Sequence, residues 1–165
     1  MASDQRTYSA AAVTVSNSVA AGTAEDGSGD ILVSRLESAG FTVSERRVIP
    51  DGIETVADTL RQLSGVVDLV ITTGGTGLSP TDLTPEGTMA VIDRDVPGIP
   101  EALRHATFGS VPYGKLSRGV AGIAGTCLIV NLPGSPKAVE EGFDVLDSVL
   151  SHAVQIATGD FGRHD

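Results

Sequence analysis

The sequence predicts an α/β fold of three layers, helix, sheet and helix, around a mostly parallel sheet. Short apolar runs rich in Val, Ile, Leu and Ala recur along the chain. Between them lie stretches whose apolar residues fall three and four apart, the spacing of a helix face. Gly- or Pro-bearing segments separate the two kinds. Strands that alternate with helices in this way pair in parallel and are covered by those helices.

Residues 10–15 form a short apolar run, the pattern of a strand buried on both faces. A loop rich in Gly, Ala, Ser and Asp follows. Ile31, Leu32, Leu36 and Ala39 then make a helical stripe that stops at Gly40, a suitable closing residue. Residues 41–49 alternate through Phe41, Val43 and Val48 as a second strand. Ile53, Val56, Leu60 and Leu63 lie on one helical face, and residues 66–72 form a third strand. After the loop 73–84, residues 85–92 are expected to form a short helix. Thr84 would supply the hydroxyl cap, Pro85 the first position and Glu86 the first-turn acid. Residues 100–107 suggest another short helix, 120–123 a weak strand and 126–130 a clear one. Ser135 and Pro136 open a last helix with Val139, Phe143, Leu146 and Leu150 on one face. The expectation is a single domain over 1–165, with tails of about 1–6 and 159–165 loosely held.

Composition narrows the function. A 165-residue chain of 16.8 kDa can bury roughly 69% of its unfolded surface, enough for a core without staples. With 4% aromatics and no Trp, that core must be aliphatic. The formal charge of −10 and the lack of a Lys/Arg run argue against nucleic acid as a partner. The single cysteine, Cys127, excludes an internal disulfide and sits in an apolar run. No stretch approaches the roughly 18 apolar residues of a membrane span. The N-terminus is polar and lacks a secretion signal, so a cytoplasmic protein is expected.

Ligands of open parallel sheets bind beyond the carboxyl ends of the strands. In this chain those ends carry Ser16-Asn17-Ser18, Pro50-Asp51-Gly52, the long segment 72–82, and Asn131 to Ser135 with Pro133 and Gly134 between. The richest is the third. Gly74, Gly75 and Gly77 allow main-chain amides to approach an anion, and Thr72, Thr73, Thr76 and Ser79 add hydroxyls. The pattern is not the dinucleotide fingerprint, because Pro80 stands where its third glycine belongs. Residues 109–115 approximate a phosphate-binding P-loop, but Leu116 replaces the hydroxyl that would hold Mg²⁺.

Two acids stand out. Asp51 with Glu54 fits a capping box, and Asp82 fits a turn. Equally, two carboxylates beside a phosphate nest could hold Mg²⁺ against polyphosphate oxygens. Lys115 and Arg118 lie close in sequence, and Lys137 in the first turn of the last helix opposes its dipole, which hints at a nearby anion. His105, His152 and His164 lack partners at metal-ligand spacing and are assigned to packing or surface.

Together, residues 72–77 (TTGGTG) and 82–86 (DLTPE) closely resemble the signature of the molybdopterin adenylyltransferase family of the Mog/MoaB type. Residues 49–51, 116–118 and 131–136 match further blocks in the same order, so the resemblance runs from about 11 to 150. It implies a molybdopterin-binding-protein-like fold, a homotrimer and a reaction: AMP passes from Mg-ATP to the terminal phosphate of molybdopterin, releasing pyrophosphate. Asp51 and Asp82 would then be the catalytic, Mg²⁺-holding pair. Thr73, Gly74, Gly75, Thr76, Gly77, Ser79, Pro85 and Glu86 would bind nucleotide phosphates. Ser16, Asn17, Ser117, Arg118, Asn131, Pro133, Gly134 and Ser135 would bind molybdopterin. A hand-over to a molybdate-inserting enzyme is implied as well. The chain departs from the family at Ser16-Asn17-Ser18, where Ser-Asp-Arg is usual. That departure motivates an alternative, a non-catalytic molybdopterin-binding trimer. A different nucleotide-dependent transferase using the same loops is a third possibility.

Overall fold

Ser9–Val15 carries no charge and nothing longer than Val, and it forms β1, an interior strand of the sheet between β2 (Thr42–Ile49) and β3 (Leu69–Thr73). The computed structural model describes residues 6–110 and 112–160. Six strands follow the order β2-β1-β3-β6-β5-β4, with β4 at Arg94–Asp95, β5 at Ala121–Ala124 and β6 at Cys127–Leu132. The first four are parallel, and β5 and β4 add antiparallel. The expected mostly parallel sheet is therefore present. The residue-by-residue pleat sends Ala10, Ala12, Leu69, Ile71 and Val130 to one face and Ala11, Val13, Val70 and Ile129 to the other.

Each face has its own helices. α2 (Gly27–Ser38), α6 (Pro136–Leu146) and α7 (Leu150–Ala157) bury Leu32, Leu36, Phe143 and Val154 against the first face. α3 (Ile53–Ser64) buries Val56, Leu60 and Leu63 against the second. Each such side chain contributes about 1.5–3 kcal/mol. Between them these layers fill the space without aromatics apart from Phe41 and Phe143. Arg35 of α2 ties itself to Glu140, Asp144 and Asp147, clasping α2 to the end of α6. Three further pieces are short: α1 (Asn17–Ala20), α4 (Thr84–Met89) and α5 (Gly98–His105), the last leading to a 3-10 turn at Pro112–Leu116.

The structure corrects several boundaries. The expected last helix is two helices, because the chain turns at Asp147–Val149, closed by Val149 N–H donating to Leu146 O at 2.9 Å. The turn lets Leu150 and Val154 stay buried against the sheet, so the apolar stripe continues through a break it cannot reveal. α4 stops at Met89 rather than residue 92, since Val91 and Ile92 turn toward the second core. The third strand starts at Leu69, later than expected. α1 and β4 are additions; β4 is two exposed residues, too short for alternation to register.

Cys127 is buried, and that burial, with Asp68 nearby, pushes its thiol up to about 12. Of the tails expected to be loose, residues 1–5 and 161–165, with His164, lie outside the described residues, while Asp160 accepts a hydrogen bond from the Tyr8 hydroxyl at 2.9 Å. Among the described residues, no helix is long and apolar enough to cross a membrane.

Candidate functional site

Parallel strands all finish on one edge, and here four loops are bonded together there. Ser16 N–H donates to Ile49 O at 2.9 Å, joining the ends of β1 and β2. Gly74 N–H donates to Leu132 O at 3.0 Å, and the Thr73 hydroxyl to Pro133 O at 2.7 Å, joining the ends of β3 and β6. A Cβ on Gly134 would stand 3.1 Å from Gly74 Cα, so these two loops touch through bare main chain.

The glycine loop needs its glycines. Gly74 has φ +101°, and a Cβ there would meet Val15 O at 2.2 Å. Gly75 has φ +68°, and its Cβ would fall 2.2 Å from Thr84 Oγ1 and 3.1 Å from Asp51 Oδ1. Thr84 is not the helix cap the sequence suggested. The cap position is Leu83, without a side-chain bond, and Thr84 is the first helical residue. Its hydroxyl donates instead to Gly74 O at 2.9 Å and its N–H to Gly75 O at 3.0 Å, holding the loop against α4. Behind it, Thr88 donates to Thr84 O, and the Asn131 amide donates to Thr72 and Thr88 hydroxyls at 3.0 Å each. Asn131 Oδ1 accepts from Val120 N–H at 3.2 Å, which commits this 2%-exposed side chain to the core. No buried side-chain polar atom among the described residues lacks a partner.

Asp51 follows β2, and its N–H donates to Asn17 Oδ1 at 2.9 Å. The capping box with Glu54 does not form: the α3 cap is Gly52, at φ +149°, with no side-chain bond. Asp82 does use one carboxylate oxygen in a turn, accepting from Ser79 N–H at 2.9 Å. The same oxygen lies 2.8 Å from where a Gly77 Cβ would stand. Burial, and to a lesser extent the Asp82 charge, hold the Asp51 carboxyl above its ordinary range, with the Asn17 backbone pulling the other way. The two carboxylates thus border the same loop, Asp51 Oδ1 beside Gly75 and Asp82 Oδ2 beside Gly77. Two hard oxygen donors of like charge suit a divalent cation that completes its shell with water and phosphate oxygens. Among the described residues there is no group of three or more His, Cys, Asp or Glu to cage a metal alone. The donor set fits Mg²⁺ held jointly with a phosphate ligand.

Two cavities meet at this edge. The larger, about 840 Å³, has Gly75, Thr76, Gly77 and Asp82 on one side and Asn131, Pro133, Gly134 and Ser135 on another. Leu103, Tyr113 and Leu116 complete a mostly apolar wall from α5 and the 3-10 turn, with Ser117 beside it. The smaller, about 230 Å³, lies between Ser16, Thr73, Gly74 and Gly134. Asp51 reaches Gly75 from the β2 side rather than lining either cavity.

Other expected site residues serve the scaffold as well. Ser16 caps α1 through Val19 N–H, and Ser135 caps α6 through Ala138 N–H at 3.1 Å. Pro85 is buried in the first turn of α4, and Glu86 pairs with Arg118. Ser79 is exposed, its hydroxyl 3.1 Å from that of Thr81. Lys137 points to solvent, 77% exposed and 3.7 Å from Glu141. His105 is exposed, edge-on to Phe108, and His152 is exposed too. Sequence reasoning missed the α5 wall. Its only advance signal was the apolar spacing of Ile99 and Leu103, which reads equally as core.

Comparison with known proteins identifies the family of the domain. Residues 11–152 match the family model described as "Probable molybdopterin binding domain". The chain is 42% identical over 137 residues to the molybdopterin adenylyltransferase of Haemophilus influenzae, covering 78% of this chain and 68% of that one. It is 37% identical to the molybdenum cofactor synthesis protein cinnamon of Drosophila melanogaster, over 82% of this chain but only 23% of that protein. The chain therefore spans under a quarter of that longer relative. The molybdopterin biosynthesis Mog protein from Mycobacterium ulcerans is similar in structure, with TM-score 0.86, 46% identity, and coverage of 91% of this chain and 99% of that one.

Proposed function

The chain belongs to the molybdopterin-binding-domain family of molybdenum cofactor biosynthesis, and from that premise we propose that it is itself a molybdopterin adenylyltransferase. The terminal phosphate oxygen of molybdopterin attacks the α-phosphorus of ATP. A P–O bond forms there as the bond to the β-phosphate breaks, and pyrophosphate leaves. Little covalent chemistry falls to the protein, whose work is to position the reactants and neutralise charge.

The observation that carries this function is that Asp51 and Asp82 both border the glycine loop, Asp51 Oδ1 beside Gly75 and Asp82 Oδ2 beside Gly77. These two acids would hold Mg²⁺, which when bound offsets phosphate charge in an otherwise acidic protein. Main-chain amides of Gly75, Thr76 and Gly77 would hold nucleotide phosphates, helped by the Thr76 hydroxyl, while the Gly74 and Ser79 amides keep the loop in shape through Leu132 O and Asp82. The larger cavity suits a flat ring system against Leu103 and Leu116, with Ser117, Pro133, Gly134 and Ser135 at its polar rim and Ser16 and Asn17 beyond. A homotrimer, a cytoplasmic location and hand-over of the product to a molybdate-inserting enzyme complete the proposal. A non-catalytic binder is the weaker alternative. Its motive was the loss of charge at Asn17, yet Asn17 presents to the Asp51 N–H the same kind of oxygen an Asp would.

Incubation with ATP, Mg²⁺ and molybdopterin should yield adenylylated molybdopterin and pyrophosphate. Asp82→Asn should keep the fold by circular dichroism and reduce turnover by about 100-fold or more. Wild-type protein that makes no such product would sink the enzyme reading. An Asp82→Asn variant that turns over normally would remove Asp82 from the chemistry.

A further inference from the structure

The guanidinium of Arg118 is spent on the protein itself. Nε donates to Gly77 O at 2.8 Å, Nη2 to Asp82 O at 2.6 Å, and Nη1 to the Glu86 carboxylate. Its own N–H donates to Thr76 O at 2.8 Å. Gly77 lies just before, and Asp82 closes, the Ser79–Asp82 turn in which the Asp82 carboxylate accepts from Ser79 N–H. One planar side chain therefore staples both ends of the segment that carries Asp82. Glu86 lies in the first turn of α4, and the guanidinium draws its carboxyl below the ordinary range, so the pair is ionised together.

We propose that Arg118 is a positioning residue for adenylyl transfer: by bridging Gly77 O and Asp82 O it fixes the Asp82 carboxylate relative to Asp51, and Glu86 holds the guanidinium in that orientation. This rests on the adenylyltransferase reading and gives Arg118 a part played through Asp82, in place of contact with molybdopterin. Geometry rather than charge is what Arg118 supplies. A lysine ammonium is a single point and cannot reach two carbonyls and a carboxylate in one plane. A substrate-binding cation would behave differently, because Lys keeps the charge that attracts an anion.

The test compares Arg118→Lys, Arg118→Gln and Glu86→Gln in the full chain with wild type. Steady-state kinetics are run against molybdopterin and Mg²⁺, and amide hydrogen exchange across residues 76–84 is followed without substrate. Lys and Gln at position 118 should lower kcat alike, by about 10- to 100-fold. The molybdopterin KM should stay within about twofold while the Mg²⁺ needed for half-maximal rate rises. The 76–84 amides should exchange about tenfold faster or more. Glu86→Gln should show the same pattern in milder form, and it decides the matter if loss of Arg118 unfolds the chain. Wild-type kcat in Arg118→Lys, or a molybdopterin KM raised about tenfold at constant kcat, overturns the proposal. Unchanged exchange overturns it independently of turnover. Absence of product from wild type instead overturns the assigned reaction, and the exchange measurement then decides by itself whether Arg118 staples the turn.

Discussion

Replacing Gly75 by Ala attacks the loop at a point where two costs can be worked out. At φ +68° an alanine is left-handed, which costs about 1–2 kcal/mol. Its Cβ would lie 2.2 Å from Thr84 Oγ1, so the hydroxyl must leave Gly74 O, its acceptor at 2.9 Å. Stranding that fully buried pair costs about 1–3 kcal/mol. Against this, alanine restricts the unfolded chain by about 0.4–1 kcal/mol. The net loss is about 2–4 kcal/mol, or a Tm fall of roughly 5–15 °C for a chain of this size. Thr84→Ala alone should cost about 1–3 kcal/mol, for the same hydrogen bond. Because one contact is charged to both changes, the double variant should be less destabilised than the sum, by about 1–2 kcal/mol. Urea denaturation of the four proteins at pH 7 measures each value. Strict additivity would refute the reasoning, since it would mean that the methyl at 75 and the hydroxyl at 84 do not compete.

Asp51→Asn should separate stability from activity. The folded state holds the Asp51 carboxyl above its ordinary range, so the ionised group opposes folding above the unfolded pKa and ceases to do so once protonated. The Asn variant should match or exceed wild type at pH 7 by up to about 1 kcal/mol, a gain that disappears at pH 3, while adenylyl transfer drops steeply. A loss of stability at pH 7 by urea titration would contradict it. The Arg118–Glu86 pair titrates in the other direction. The Glu86 pKa is lowered in the folded protein from 4.5, so its contribution is complete above that value and is lost as pH falls through the folded one. The Tm gap between wild type and Glu86→Gln should therefore be present at pH 7 and close as acidification carries the pH below 4.5 and through the lowered folded value. A gap independent of pH would mean that packing, not charge, links the two residues.

Patterns confined to a few neighbours were legible in advance. The runs at Ala10–Val15 and Leu128–Val130 announce buried strands because every residue is apolar or nearly so, and Val56, Leu60 and Leu63 announce a helix face. Ser135 before Pro136 was a true cap. Interactions between residues far apart in sequence were not legible. Thr84 followed by Pro85 has all the local marks of a cap, yet its hydroxyl serves Gly74, ten residues away. Asn131 reads as a loop ligand until the sheet register places it beside Thr72. β5 gave a faint signal because Gly122 interrupts it, and the reason lies across the sheet: a Cβ there would fall 2.7 Å from Arg94 O and 2.6 Å from Ile92 Cδ1. The candidate acids were legible through the glycines that accompany them. The staple formed by Arg118, whose carboxylate partner is 32 residues distant, left no trace in the local pattern.

Where Gly134, which lines both chambers, rests on Gly74, main chain meets main chain at their boundary. That contact leaves no room for a side chain, since one added at Gly74 would strike the Val15 carbonyl of the sheet and one at Gly134 would press on Gly74. Reshaping the larger chamber would have to act on the opposite bank, at Leu103, Tyr113 or Leu116, where side chains rather than backbone set the outline.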